Sequence, residues 1–239
     1  MSSPIQKIDK RRHNVQGEKT RQTILRIAGR LFAQKGYDGV SIRCISDEMD
    51  AMPSLIMHHF GTKSNLYKKT IEHHVIEAGQ FSSSMAPLTQ VDATNKQAAA
   101  NAIAETVHTV FDACHGPYRV KNLTNLLLQI LTVTGATPIK QAQEWLAPAE
   151  DAFKTFLKKV CPSLSETEVG IRMQIFWGDL FYPATARSVL LQAHGWKEYP
   201  SDWLNLWKKM IASDTCMALG LPTPTFDYPE IPDKKKKVD

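Results

Sequence analysis

Cysteine is scarce in this chain and scattered. The four residues, Cys44, Cys114, Cys161 and Cys216, form no C-x-x-C pair, which excludes the common zinc spacings and suggests no disulfide framework. No stretch approaches the roughly 18 uninterrupted apolar residues that a membrane helix needs. The first twenty residues are polar and basic where an exported chain would carry an apolar core, so the expectation is a soluble cytoplasmic protein. Period-two strand patterns are absent, as are a glycine-rich phosphate loop, a G-x-S-x-G elbow and an H-E-x-x-H pair. No enzyme chemistry, cofactor or metal site is therefore expected. The adjacent pairs His58-His59 and His73-His74 point their rings to different sides of a helix, which does not suit metal ligation. What is present is enough apolar material to fold, since 43% of the 239 residues are hydrophobic. That suffices for one large domain or two small ones.

The charge is uneven. Residues 1–63 carry 11 basic and 6 acidic side chains, residues 64–230 carry 14 and 16, and the last nine carry 4 and 2. A basic N-terminal quarter on a near-neutral remainder is what results when only the first segment meets a polyanion.

Helical periodicity runs through the chain. Residues 1–19, with Lys7, Lys10, Arg11, Arg12 and Lys19 and no apolar period, read as a mobile basic arm. From Thr20, Ile24, Ile27, Ala28 and Leu31 follow the i, i+3, i+4, i+7 rule of a helix with one buried stripe, which stops at Lys35-Gly36. Ser41 suits the N-cap of a short helix with Ile42, Ile45 and Met49 inward. Pro53 suits the first turn of a third helix burying Ile56 and Phe60. A longer helix then runs from Lys63 to about Gly79. After a breaker-rich stretch from Ser82 to Asn95, helices are expected over Ala98–Cys114, Tyr118–Val133, Ile139–Val160 (kinked or split by Pro148), and from the Ser165-x-x-Glu168 capping box to Gly195, interrupted at Pro183. Trp203–Leu219 supplies the last. The expected fold is all-α, divided as arm 1–19, helix-turn-helix domain 20–80, larger helical domain 81–222 and tail 223–239.

Two short helices joined by a tight turn and followed by an anchoring helix are built to place one exposed helix in the DNA major groove. The landmarks Leu31-Phe32, Lys35-Gly36-Tyr37, Ser41-Ile42-Arg43, Ile45, His59-Phe60-Gly61-Thr62-Lys63 and Leu66 stand at the spacing of the TetR family of bacterial regulators, which this segment resembles over about residues 20–75. The resemblance implies phosphate contacts from Ser41, Arg43 and Lys63, and base-edge contacts from the third helix, where Pro53, Ser54, Leu55, His58 and His59 lie. Arg11 and Arg12 would enter the neighbouring minor groove, or else belong to a plain tail. The chain also departs from the family pattern. Asp50 stands where the turn usually has Gly, and Met52, Pro53, Leu55 and Met57 replace Ser, Lys, Thr and Tyr. Leu55 and Met57 either touch thymine methyls, which implies an A·T-containing operator, or mark weakened DNA binding.

The larger domain is rich in aromatic residues with polar groups interspersed. His108 precedes Phe111 by three residues, Gln129 sits within an apolar run, and Arg172 precedes Phe176 by four. Apolar walls with a few placed polar groups describe a small-molecule pocket. The candidate effector contacts are His108, Phe111, Gln129, Trp145, Arg172, Phe176 and Trp177, with Arg172 meeting the carboxylate of an aromatic acid. By the same resemblance, the last two long helices form a four-helix homodimer interface, with Phe181, Ala184, Val189, Leu190, Leu204, Met210 and Ile211 as its apolar surface. The helix from Lys63 to Gly79 would be the lever between the halves. Lys234 to Lys237 look like an import signal but read more simply as a solvated tail. Two functions follow: a ligand-responsive repressor released from a near-palindromic operator by a small aromatic or lipophilic effector, or a helical small-molecule binding protein that has lost DNA binding.

Overall fold

The computed structural model of the chain describes residues 4–77, 83–115, 125, 126, 128, 129 and 136–229. Among the described residues the regular structure is helical throughout. It comprises α1 (Pro4–Lys35), α2 (Ile42–Glu48), α3 (Pro53–Phe60), α4 (Lys63–Glu77), a 3-10 turn (Ser83–Met85), α5 (Ala86–Gln90), α6 (Lys96–His115), α7 (Ala136–Val160), α8 (Glu166–Thr185), α9 (Arg187–His194) and α10 (Ser201–Ala218). Most of the helix expected over Tyr118–Val133, and the lysine run at 234–237, lie outside the described residues. No described helix is long and apolar enough to cross a membrane.

The chain divides into two compact units, residues 1–75 with 125–142, and residues 76–124 with 143–239. In the first, α1 buries Ile24, Leu25, Ala28, Leu31 and Phe32, and α2, α3 and α4 contribute Ile45, Ile56, Phe60, Leu66 and Tyr67. Each of the leucine, isoleucine and phenylalanine side chains, removed from water, stabilises by roughly 1.5–3 kcal/mol. Gly29 lets α4 approach α1: a Cβ there would stand 1.8 Å from Nε2 of His74. Arg30 of α1 pairs with Glu48 of α2 at 2.6 Å, and the edge-on rings of Phe32 and Tyr67, 5.0 Å apart, join α1 to α4. One expectation needs correcting. The basic N-terminal segment is not separate from the first helix, because α1 is continuous from Pro4. Proline suits a first turn, and the Lys, Arg, Gln and Glu that follow are good helix formers despite having no apolar stripe.

In the second unit α6 is the central element, burying Ala99, Ala100, Ile103, Ala104, Val107, Val110, Phe111 and Cys114 and packing on α5, α8 and α10. The run of alanines permits that close approach on several sides. His115 Nε2 meets the Leu180 carbonyl at 2.8 Å, joining α6 to α8. The Ser165–Glu168 capping box forms at the start of α8. Pro148 does not split α7. Pro183 acts two residues downstream: α8 stops at Thr185 and α9 starts at Arg187, as the missing amide of a proline in the last turn would lead one to expect. The breaker-rich connector is not featureless, since the 3-10 turn and α5 bury Met85 and Leu88.

Candidate nucleic-acid interface and ligand cavity

The helix-turn-helix is built by local chemistry. The hydroxyl oxygen of Ser41 accepts a hydrogen bond from the Cys44 amide at 3.0 Å and caps α2. The turn that follows uses Asp50 at φ 51, the left-handed region where glycine is the usual occupant and Asp is tolerated. Met52 precedes α3 without a side-chain cap bond, and Pro53 occupies the first turn, where no donor is missed. Gly61 closes α3 at φ 73. Thr62 then accepts from the Asn65 amide at 3.1 Å to start α4, and the Asn65 side chain donates to the Phe60 carbonyl at 2.8 Å. Thus α3 is fixed at both ends.

Only one side of α3 is anchored. Ile56 and Phe60 are buried, while Met52, Pro53, Ser54, Met57 and His58 are exposed and Leu55 and His59 are half-buried. Met52 and Met57 keep 73% and 45% of their surface in water, which gives the exposed side an apolar component beside its serine and histidine. Ser41 and Arg43 are exposed at the start of α2. The Lys63 ammonium lies over the Tyr37 ring, 4.2 Å from its centre, so the charge at the start of α4 is held in place and not free to sweep. Of the DNA contacts expected from sequence, Ser41, Arg43, Pro53, Ser54, Leu55, His58, His59 and Lys63 thus belong to one helix-turn-helix. The side chains of Arg11 and Arg12 lie outside the described residues.

The second unit holds a cavity of about 220 Å³, lined by Phe153, Leu157, Arg172, Ile175, Phe176, Asp179, Asp214, Thr215, Ala218 and Leu219. Three helices supply it, and the α8 set Arg172, Ile175, Phe176 and Asp179 follows the i, i+3, i+4, i+7 rule of one face. The floor is aromatic: Phe153 and Phe176 stack with centres 4.4 Å apart. The rim is open, because Ile175, Asp179, Asp214 and Ala218 are exposed. Partial burial, and secondarily the Asp214 carboxylate, hold the Asp179 carboxyl above its usual range. Two carboxylates therefore oppose one guanidinium.

Within the second unit, the described effector contacts expected from sequence are not all brought together. Arg172 and Phe176 line the cavity. Trp177 stacks on Phe181 at 6.0 Å but does not line it. Phe111 is fully buried against His115, with ring centres 4.4 Å apart, and is core. His108 belongs to a separate polar cluster with Asp112 and Lys208. Gln129 falls in the first unit, its amide oxygen beside Gly36. The side chain of Trp145 lies outside the described residues. Asp179 and Asp214 were missed by sequence reasoning, although Asp179 stands on the same i+7 stripe as Arg172.

Residues 24–70 match the model for bacterial regulatory proteins of the tetR family. Over this segment the chain is similar to the DNA-binding part of the TetR family. The matched segment contains α2 and α3 entire and parts of α1 and α4. A curated relative, the HTH-type transcriptional repressor AcnR of Corynebacterium glutamicum, is 42% identical over 48 residues, covering 20% of this chain and 26% of AcnR. The chain thus spans about a quarter of the length of that relative. Solved structures share the TetR-type fold over much more of the chain. A Clostridium perfringens protein provisionally assigned as a fatty acid metabolism regulator is 11% identical with a TM-score of 0.57, covering 82% of this chain and 97% of that one. AibR, solved with isovaleryl coenzyme A and operator DNA, is 15% identical with a TM-score of 0.55, covering 86% and 99%. HlyIIR, a hemolysin II transcriptional regulator, is 14% identical with a TM-score of 0.54, covering 81% and 97%. At such identities the likeness is one of fold.

Proposed function

We propose that this chain is a TetR-type regulator, a ligand-responsive transcriptional repressor that binds a near-palindromic DNA operator as a homodimer. The observation that carries the reading is the division of α3 into a buried pair, Ile56 and Phe60, and an exposed side with Ser54 and His58. A helix anchored in this way can enter a major groove without unfolding any core. Ser54 and His58 would hydrogen-bond base edges, and Met52, Met57 and Leu55 would pack on thymine methyls, which favours an A·T-containing operator. Ser41, Arg43 and Lys63 would hold phosphates, with Arg11 and Arg12 near the chain start adding charge.

Dimerisation is supported by matched apolar rows. On α8, Ile171, Ile175 and Tyr182 are each more than half exposed, and on α10 so are Leu206, Met210 and Met217. Both sets have the spacing i, i+4, i+11, one stripe on each helix. Of the dimer residues expected from sequence, Val189 and Met210 are exposed, whereas Phe181, Leu204 and Ile211 are buried within their own chain. The exposed row is shifted around α10 relative to that expectation.

The cavity is the proposed effector site. Its aromatic floor suits a lipophilic body, and its two carboxylates repel the aromatic acid that Arg172 alone would favour. The better fit is a small lipophilic molecule with a hydrogen-bond-donating or cationic head. A ligand that binds one arrangement of the helices better than another shifts their populations, and α4, which runs through the division at residues 75 and 76, is the candidate lever. The experiment is selection of DNA fragments from a random pool, followed by titration of the winner with wild-type protein and with Ser54→Ala/His58→Ala. Saturable, selective binding lost in the double variant supports the reading. Selective binding by neither protein favours a small-molecule binder that no longer reads DNA.

A further inference from the structure

The chain does not end with α10. After Gly220, at φ 66, residues 221–229 run extended, and their burial alternates: Pro224, Phe226 and Tyr228 are half-buried while Thr223, Thr225 and Asp227 are exposed. Two side chains of α6 hold this segment. The Gln97 side chain donates to the Thr223 carbonyl at 3.1 Å. Asn101 accepts from the Thr225 amide at 2.8 Å and donates to its hydroxyl at 3.1 Å. The two inward rings then close over a charge that is rare in a protein interior. Lys208 of α10 has a side chain with 0% exposure, and its ammonium donates to Asp112 at 2.8 Å and to Nδ1 of His108 at 3.1 Å. The ring centres of Phe226 and Tyr228 lie 5.8 and 6.0 Å from that of His108.

We propose that residues 221–229 are a latch that closes over Lys208 while His108 is neutral and opens when His108 takes up a proton. The geometry requires a lone pair on Nδ1, because an ammonium donates to it. A proton on Nδ1 removes that acceptor and sets a second cation 3.1 Å from the first in a half-buried site. Asp112 opposes this, since its other oxygen lies 3.4 Å from Nδ1 and would accept the new N–H, but one carboxylate then serves two cations, one of them fully buried. The groups around His108 are Glu105 and Asp112 on its own helix, Lys208 on α10 and Tyr228 on the latch, with Lys209 of α10 over the Tyr228 ring. Burial first, then Lys208, outweigh Asp112 and Glu105 and hold the imidazole below its ordinary range. Opening restores water and the ordinary value, so the open form binds the proton more readily. The latch is therefore closed at neutral pH and loosens as pH falls below about 6.5. The closed state also carries an internal cost, as the buried Tyr228 hydroxyl has no hydrogen-bond partner, so modest changes suffice to tip it.

The inference is independent of DNA binding. It is tested by hydrogen exchange of the full chain at pH 7.5 and 5.5, with intrinsic exchange rates corrected for pH, following the Thr225 amide and its neighbours. Protection should fall by roughly fivefold or more on acidification, while α6 amides stay protected. His108→Gln, which keeps an acceptor for Lys208 and cannot take the proton, should abolish the pH dependence. Should that variant lose its helical signal, the His108 ring is titrated by NMR in the wild type and in Phe226→Ala/Tyr228→Ala, where an open latch should raise its midpoint toward the ordinary histidine value. Equal protection at both pH values, a pH-dependent loss that persists in folded His108→Gln, or an unmoved midpoint would overturn the proposal.

Discussion

The two units treat polar and apolar groups in opposite ways. The first puts most of its large apolar side chains inside and leaves Ser54, His58, Arg43 and Ser41 in water on the helix-turn-helix, with Met52 and Met57 beside them. The second hides a lysine completely and leaves rows of isoleucine, leucine and methionine exposed on α8 and α10. A surface of polar groups over a rigid core suits a partner rich in charge and hydrogen bonds, such as DNA. An exposed apolar row over a buried ion cluster suits a partner of the protein's own kind. The contrast can be attacked at four points.

The largest effect is expected at the apolar row. Met210→Glu places a charge at a site 55% exposed in the single chain but buried in the proposed dimer. It should weaken self-association by about 3 kcal/mol or more, seen as monomer by analytical ultracentrifugation, with helical content unchanged. A dimer of wild-type strength would move the interface elsewhere. Next is Asp112→Ala, which leaves the Lys208 ammonium buried without its carboxylate and should destabilise the second unit by about 3 kcal/mol. A loss in urea denaturation under about 1 kcal/mol would show that Lys208 reaches water.

On the other side of the contrast, His58→Ala should cost about 1–3 kcal/mol in selective DNA binding and almost nothing in stability, because the side chain touches no core. A variant that unfolds instead would place His58 in the fold and not at the interface. The smallest effect is Asp50→Gly. Relief of the left-handed backbone is partly offset by the entropy of glycine, leaving a gain of a few tenths of a kcal/mol in stability. Removing a negative charge near the phosphates should also tighten binding and steepen its salt dependence.

The helix-turn-helix is almost fully legible from sequence, because its determinants are local. Ser41, Asp50, Pro53 and Gly61 act on backbone within a few residues, and the period of Ile56 and Phe60 alone fixes which side of α3 turns inward. The continuation of α1 back to Pro4 was not legible, since a helix with no apolar stripe gives no periodic signal. In the second unit the helices were readable but their neighbours were not. Arg172 and Phe176 stand four apart on one turn, so their pairing could be seen. The meeting of Asp179 with Asp214, and of His108 with Lys208 one hundred residues away, depends on how α6, α8 and α10 pack, which no short-range pattern encodes. That Gln129 falls in the other unit is illegible for the same reason. The latch escaped notice because an extended segment with alternating burial resembles a tail until α6 is laid beneath it.

The central claim is that the exposed side of α3 reads DNA. Its most direct test is fluorescence anisotropy of the wild type and of Ser54→Ala/His58→Ala on one selected duplex and on scrambled competitor at fixed salt. The account predicts that the wild type prefers the selected duplex by at least about a thousandfold and that the double variant loses most of that preference while keeping its weak, salt-sensitive affinity for any duplex. An equal preference in both proteins would contradict it.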